Sequence, residues 1–380
     1  MNYEISSSLA RLSLVLPLAV VLVCGDASAQ QQPAPTDPGY SRIQGQSATG
    51  SLAPPPAGVG ALIDYRQEMR AFIERLSTYA REQNRNFSII IRDANELVIK
   101  RDVQDENIIS PARTLMHSID GVMFEGMFVG HRVIGQPPPP EVDAVNKDRL
   151  ARIKRAGLNV FSIEFAADKN AVDEALAEAD KLGVVTTVVP RATDELTGIP
   201  NYPKRPHKEN PKNILSVQDI KNFVYISDPA AFGRQDQFAL SVQGTNFDLV
   251  IVDPFSGREP LSKRAVETLK YKKLGAKRMV FARMDLGTAA SYRYYWQPNW
   301  HEGNPSWIGA PYPGDPDRYF VDYWTPGWQN LMFGNPQSFV YGLIAQGYDG
   351  VVLEGLRTYL AFEGNVEVPV EFAPLATAPN

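Results

Sequence analysis

The sequence predicts an α/β protein, a (β/α)8 barrel with one strand more than the eight such a barrel needs. Three observations predict it. About nine short strand-like runs alternate with helical segments over the roughly 320 residues after the first 60. Each run is continuously apolar rather than alternating apolar and polar, as expected of a parallel sheet covered on both faces. Several runs also end in, or just before, an acid, on the rim where such barrels build their sites. The competing architecture, an open doubly wound sheet, usually advertises a glycine-rich first turn, and neither GxGxxG nor GxxxxGK(S/T) occurs. The TIM-like barrel is favoured.

The chain opens on an export signal. Arg11 precedes the apolar run Leu12 to Cys24, and Ala27-Ser28-Ala29 supplies a small-x-small site, so cleavage is expected after Ala29, with a secreted or periplasmic product. The run is short for a membrane span. Bulky Val23 stands where a bacterial lipoprotein signal carries a small residue, so no membrane anchor is expected. Cys24 is the only cysteine; the mature chain would then lack disulfides, thiol catalysis and thiolate metal ligands. Residues 30–60, rich in Gln, Pro, Ser, Gly and Ala, bury too little to fold and read as a flexible linker. Residues 61–380 are expected to form a single domain. The net charge of −5 argues against nucleic acid and is compatible with a neutral or cationic ligand. The oligomeric state is left open.

Taken in order, Ala61 to Gln83 carries Leu62, Met69, Phe72, Ile73, Leu76, Tyr79 and Ala80 at helical spacing with charges between them, an amphipathic helix. Phe87 to Ile91 follows as a strand and ends at Arg92-Asp93-Ala94-Asn95. A second helix leads to the strand Ile119 to Glu125, and Pro137 to Pro140 punctuate the next loop. Then come helix Val142 to Ala156, strand Leu158 to Ala166, helix Ala171 to Leu182 and strand Val184 to Val189. Arg191 to Val217 is polar and rich in Pro, Asn and Lys, and reads as a surface crossing. Strands resume at Phe223 to Ile226, Leu249 to Asp253, Arg278 to Met284, Phe320 to Trp324 and Gly350 to Glu354. Helices such as Ser262 to Leu274 and Pro336 to Gln346 fill gaps between them.

Six acids fall at strand ends: Asp93, Glu125, Glu164, Asp253, Asp285 and Glu354. In a parallel barrel those positions gather on one rim. Any one of them serves more often as a helix cap or half of an ion pair, but six on one rim point to a site. All five tryptophans lie between Met284 and Glu354, among Tyr292, Tyr294, Tyr295, Tyr312, Tyr319 and Tyr323, in a long loop rich in Gly and Pro. A single Trp usually fills a core; a ring cluster in a loop above strand ends also suits a sugar-binding cleft. Two carboxylates facing each other across such a cleft are the equipment of glycoside hydrolysis. His117, His131, His207 and His301 show no HExxH or comparable ligand spacing, and no GxSxG elbow is present, so no metal and no cofactor are expected.

Particular segments carry a resemblance. Met284-Asp-Leu-Gly-Thr-Ala-Ala-Ser-Tyr-Arg-Tyr-Tyr-Trp296, Pro305-Ser-Trp307, Tyr319-Phe-Val-Asp-Tyr-Trp324 with Trp328, and Gly347-Tyr-Asp-Gly-Val-Val-Leu-Glu354 resemble glycoside hydrolase family 114. These are TIM-barrel proteins of the endo-α-1,4-polygalactosaminidase type, and bacterial members are often labelled as related to cysteinyl-tRNA synthetase. The family pattern runs SIGEAExYRxYW, PxWL, YxVxYWxPxW and GFDGVxLD. Phe247 to Asp253 looks like the family's early strand. Met69 to Arg81, the strand ending at Asp93, and Ile119 to Glu125 look like segments that follow GFDGVxLD in the family, and Leu158 to Phe165 like its last core strand. The resemblance therefore implies a circular permutant, which barrels tolerate because their termini lie close together on the surface.

By the resemblance, Glu354 stands at the nucleophile and Glu125 at the acid/base, with Asp93 near the position of a family Asn. Thr288 and Ala290 replace two acids of SIGEAE, and Asp285 stands where the family has Ser. Glu354 replaces Asp and reaches about one methylene further, in a chemistry sensitive to shifts of about 1 Å. The expectation is a retaining glycosidase acting on an α-linked, amino-sugar-containing polysaccharide. Asp253, Asp93, Glu164 and Asp285 would position the sugar or bind its amino groups, with Tyr292, Trp296 and Trp324 as stacking platforms. The alternative is a catalytically degraded barrel that binds exopolysaccharide without hydrolysis, favoured by the lost SIGEAE acids.

Overall fold

Eight parallel strands close on themselves in chain order, so the first strand pairs with the last. A computed structural model describes residues 63–102, 105 and 108–364. The expected export signal, the linker and the first two residues of the opening helix lie outside the described residues. The strands are β1 (Ser88–Arg92), β2 (Gly121–Glu125), β3 (Asn159–Phe165), β4 (Val185–Val189), β5 (Phe223–Ile226), β6 (Leu249–Val252), β7 (Met279–Asp285) and β8 (Gly350–Glu354). Ladders join β1 through β4 and β5 through β8, and β8 pairs with β1 in the register Ser88↔Gly350 to Ile91↔Leu353. β4 and β5 lie side by side at the remaining seam without a ladder. The (β/α)8 expectation is met.

Strand alternation sorts the apolar residues into two cores. One fills the barrel, with Ile90, Met123, Ile163, Ile251, Phe281 and Val352 among its members. The other lies between the strands and the helices, where Ile89, Ile91, Val122, Val351 and Leu353 meet Phe72, Ile73 and Leu76 of helix α1 (Tyr65–Gln83). Asp64 caps α1 by accepting the Gln67 N–H at 2.9 Å. Inside the barrel, glycine makes room for large rings. A Cβ on Gly350 would lie 2.4 Å from the Ser88 carbonyl oxygen and 2.8 Å from the Phe281 ring.

Some helices are shorter than their sequence patterns and others slightly longer. The segment expected as a second helix forms a single turn, a small hairpin (Ile99–Arg101 with Ile109–Pro111) and the six-residue α2 (Arg113–Ser118). Then come α3 (Pro140–Arg155), α4 (Lys169–Leu182), α5 (Gln235–Gln243), α6 (Lys263–Leu269), α7 (Pro326–Met332) and α8 (Phe339–Gln346). Helix α1 packs against α8 and α2, the place in the outer layer of a helix joining β8 to β1. The ninth strand stays out of the barrel. Residues Asp315–Val321 form the centre of a separate antiparallel sheet between Thr288–Ala290 and Ile308–Tyr312.

No α-helix fills the gap between β4 and β5; the chain crosses there instead, through three-residue turns at Thr193–Glu195 and Val217–Asp219. A buried ion pair pins this crossing. Lys272 Nζ donates to Asp248 Oδ1 at 2.6 Å and to the carbonyls of Asn210 and Lys212, each at 3.0 Å. Asp248 Oδ2 accepts from Asn210 Nδ2 at 2.7 Å and from the Lys221 N–H at 2.8 Å. The other partners of this buried pair, Asn210, Lys212 and Lys221, come from the crossing or its flank, so the polar segment expected at the surface is tied to the bottom of the barrel.

Candidate active site

The inward, C-terminal positions of the strands assemble one charged cluster. Alternation turns Arg92 (β1), Glu125 (β2), Arg283 (β7) and Glu354 (β8) to the interior side of the C-terminal rim, and Tyr225 of β5 lines the barrel beneath them. The Arg92 guanidinium is the hub. Its Nε donates to Glu125 Oε1, its Nη1 to Glu354 Oε1 at 2.6 Å and to the Tyr225 hydroxyl, and its Nη2 to Thr193 Oγ1 at 2.6 Å. Arg283 Nη2 donates to Glu354 Oε2 at 2.9 Å, and the Tyr225 hydroxyl donates to Glu354 Oε1. Both guanidinium groups lie 5.2 Å from the centre of the Tyr225 ring. The four charged side chains are 11–20% exposed, shielded but not sealed from solvent.

Glu125 and Glu354 thus come together from opposite ends of the described chain. They contact adjacent nitrogens of one guanidinium, which limits their separation to roughly 8 Å, two hydrogen-bond lengths plus the spacing of those nitrogens. Their surroundings hold the acids of this rim in different protonation states. Burial alone would raise the Glu354 carboxyl; the charges of Arg283 and Arg92, with hydrogen bonds from Arg283 and Tyr225, bring it down to about 2. Burial and the neighbouring Glu125 charge push Asp93 up to about 7 against the pull of Arg357, whose Nη1 lies 3.5 Å from Asp93 Oδ2. Asp93 has a left-handed backbone (φ +50°), and its N–H donates to the Met123 carbonyl at 2.9 Å. That conformation, tolerated by Asp, stores strain where the chain leaves β1.

Other expected residues are engaged differently. Arg293 clamps Asp253 through two bonds of 2.9 and 2.6 Å, fixing the aromatic loop to the end of β6. Asp285 closes its own turn, accepting from the N–H groups of Gly287 and Thr288 and from Thr288 Oγ1 at 2.8–2.9 Å. Glu164 is turned away from the mouth. The inward residues of β3 are Phe161, Ile163 and Phe165, so alternation sends Glu164 into the outer layer, where it is fully buried. Its Oε2 accepts the N–H groups of Phe128 and Val129 at 2.8 and 2.9 Å, and burial pushes it up to about 7.

The rings divide in the same way. Trp328 and Trp307 are core residues. Trp296 stacks on Tyr319 with ring centres 5.3 Å apart, and Trp324 packs edge-on against Phe362 at 4.9 Å; both are half-buried. Tyr292 is 38% exposed and lies beside the Arg293 guanidinium. Acid positions and ring content alone miss Arg92, Arg283, Tyr225, Thr193 and Arg357. A signal existed for the first two: an arginine closing or interrupting an otherwise apolar strand needs a buried partner.

The fold and site together define a parallel (β/α)8 barrel with a carboxylate–arginine cluster on its C-terminal rim. No protein-family model matches the chain. It is similar to an uncharacterized protein of Thermotoga maritima, 29% identical over 157 residues, which cover 39% of this chain and 45% of the relative. An uncharacterized protein of Deinococcus radiodurans is 34% identical over 119 residues, 31% and 36% of the two chains. The uncharacterized protein MJ1477 of Methanocaldococcus jannaschii is 30% identical over 149 residues, 39% and 41% of the two. The chain spans less than half the length of each of these relatives. Among the described residues no helix is long and apolar enough to cross a membrane.

Proposed function

We propose that this is an exported glycoside hydrolase-like protein that cleaves an α-linked, amino-sugar-containing polysaccharide by a retaining, two-carboxylate mechanism. The observation that carries the reading is the approach of Glu125 and Glu354 to one guanidinium, beside acids driven apart in protonation. Glu354, held down at about 2, is ionised near neutrality and is the group to attack the anomeric carbon. Glu125 delivers a proton to the leaving oxygen and later withdraws one from water. Asp93, pushed up to about 7, keeps a proton-holding carboxyl beside it near neutrality. Because Arg92 bridges the two acids, a glycosidic bond that engages both must displace one of its contacts. Tyr292 is the most exposed of the three expected stacking rings.

One observation favours the second reading, a barrel that binds polysaccharide without cutting it. Both Glu354 oxygens already accept from arginine, and Oε1 also accepts from Tyr225. Incubation with amino-sugar polymers, following new reducing ends, separates the two. Glu125→Gln and Glu354→Gln are each expected to abolish release while leaving the protein folded. Undiminished turnover in Glu354→Ala would remove the nucleophile assignment, and binding with no release by the unaltered protein would favour the second reading.

A further inference from the structure

The two most exposed large apolar side chains among the described residues are Leu215, 73% exposed, and Leu274, 69% exposed. They stand on neighbouring loops at the end of the barrel opposite the mouth. Leu215 belongs to the crossing and follows Ile214, whose N–H donates to the Lys277 carbonyl at 2.9 Å; the Lys277 N–H donates back to Asn213 Oδ1 at 2.8 Å. Leu274 sits in the turn that the Lys272 N–H closes on the Ala276 carbonyl at 2.8 Å. Lys221 and Lys277 stand two positions before β5 and β7, at the N-terminal ends of the strands. Lysines flank both leucines. Lys212, Lys221, Lys273 and Lys277 are exposed, and none of their ammonium groups has an ion-pair partner among the described residues. Within residues 210–222 and 272–278 the one acid is Asp219, which accepts from Ser216 Oγ at 2.9 Å, and nearby Asp248 is already paired with Lys272. A chain of net charge −5 thus concentrates positive charge at this end.

We infer that this end of the barrel is a docking surface for an anionic lipid membrane. Ammonium groups without a protein partner keep their full charge for lipid phosphates, and an anionic leaflet attracts them over a Debye length of about 8–10 Å. Charge alone would serve a soluble acidic partner equally well; the leucines decide for lipid. A leucine scattered singly on a surface needs no account, but these two share one end with the unpaired lysines. An isobutyl group on a loop whose backbone is already pinned enters the headgroup–acyl boundary with little further loss of freedom. The lysine stems lie along the same apolar layer and keep their ammonium groups among the phosphates. The contact is interfacial, made by loops, with no spanning helix among the described residues. Docked in this way, the mouth at the C-terminal ends of the strands faces away from the lipid and stays open to solution. The inference is independent of the reaction proposed for that mouth.

The test places an indole at the surface itself. Leu274→Trp is made in the full chain, and its emission is read as the difference from the wild type, whose five tryptophans all lie between β7 and α8. Vesicles of phosphatidylcholine brominated on the acyl chains, with about 30% phosphatidylglycerol, quench an indole only where it reaches the hydrocarbon. The expected result is quenching of the difference emission in about 0.05 M NaCl, and a lipid requirement at least about tenfold higher in about 0.5 M NaCl. Adding Lys212→Gln, Lys273→Gln and Lys277→Gln together should raise that requirement about a hundredfold, and brominated vesicles without phosphatidylglycerol should not quench. Sedimentation with the anionic vesicles while the introduced indole stays unquenched would overturn the inference, because another part of the chain then makes the contact. Quenching that survives the three lysine replacements, or is equal on neutral vesicles, would also overturn it. Lysine-dependent binding of soluble polyglutamate, with no quenching by the vesicles, would replace the membrane with an acidic soluble partner.

Discussion

Replacing Glu354 by Gln tests the electrostatics of the site without needing a substrate. A glutamate ordinarily titrates near 4.5, and this one is held at about 2. Between those values the unfolded chain binds a proton that the folded one does not, so the Glu354 contribution to stability is complete above about pH 4.5 and is lost as the pH falls through about 2. At about 1.4 kcal/mol per unit, the whole contribution is about 3 kcal/mol, of which about 2 kcal/mol is lost between about pH 6 and about pH 3. The other carboxylates titrate in both proteins, so the difference between them isolates this residue. Urea unfolding midpoints of the two proteins, measured at steps across that range, should converge as the pH falls, the stability gap narrowing by about 2 kcal/mol. Parallel curves would refute the reasoning, for then Arg283, Arg92 and Tyr225 do not hold Glu354 below its ordinary range.

Glu164 should show the opposite sign. Its carboxyl is pushed up from 4.5 to about 7, so the wild-type protein loses stability as the pH rises through that window. Glu164→Gln should gain about 1–3 kcal/mol on the wild type between about pH 4 and about pH 8 in the same unfolding assay; a constant difference would contradict the buried, proton-holding carboxyl. Lys272→Met should cost about 3–5 kcal/mol, because it strands Asp248 without its counter-charge, and adding Asp248→Leu should restore part of that loss. A single-variant cost below about 1 kcal/mol would mean that the pair does not hold the crossing down.

Much of the barrel was legible because local chemistry and global fold agree. Continuous apolar runs such as Ser88–Arg92 and Gly350–Glu354 are what a strand covered on both faces requires, and amphipathic spacing in Tyr65–Gln83 marks the helix that covers two of them. The run ending at Trp324 was misleading as a barrel strand, because a short apolar run does not declare which sheet it joins. The strand it forms, Asp315–Val321, pairs antiparallel in the accessory sheet, and Trp324 itself falls beyond that strand. Of the site, Glu125 and Glu354 were legible from their strand-end positions. Glu164 was not, since a one-residue difference in alternation carries a side chain from the mouth to the outer layer.

The sequence by itself determined the parallel barrel and the acids that close several of its strands, since the length and apolar content of a run are local properties. Only the tertiary structure decided which of those acids share a site. Ion pairing depends on distances of a few ångströms between residues far apart in the chain. Arg92 and Glu354, 262 positions apart, meet because β8 lies beside β1. The same closure joins Asp93 to Arg357, while Arg293 folds back from its loop to take Asp253, leaving a rim whose charges are largely settled among themselves.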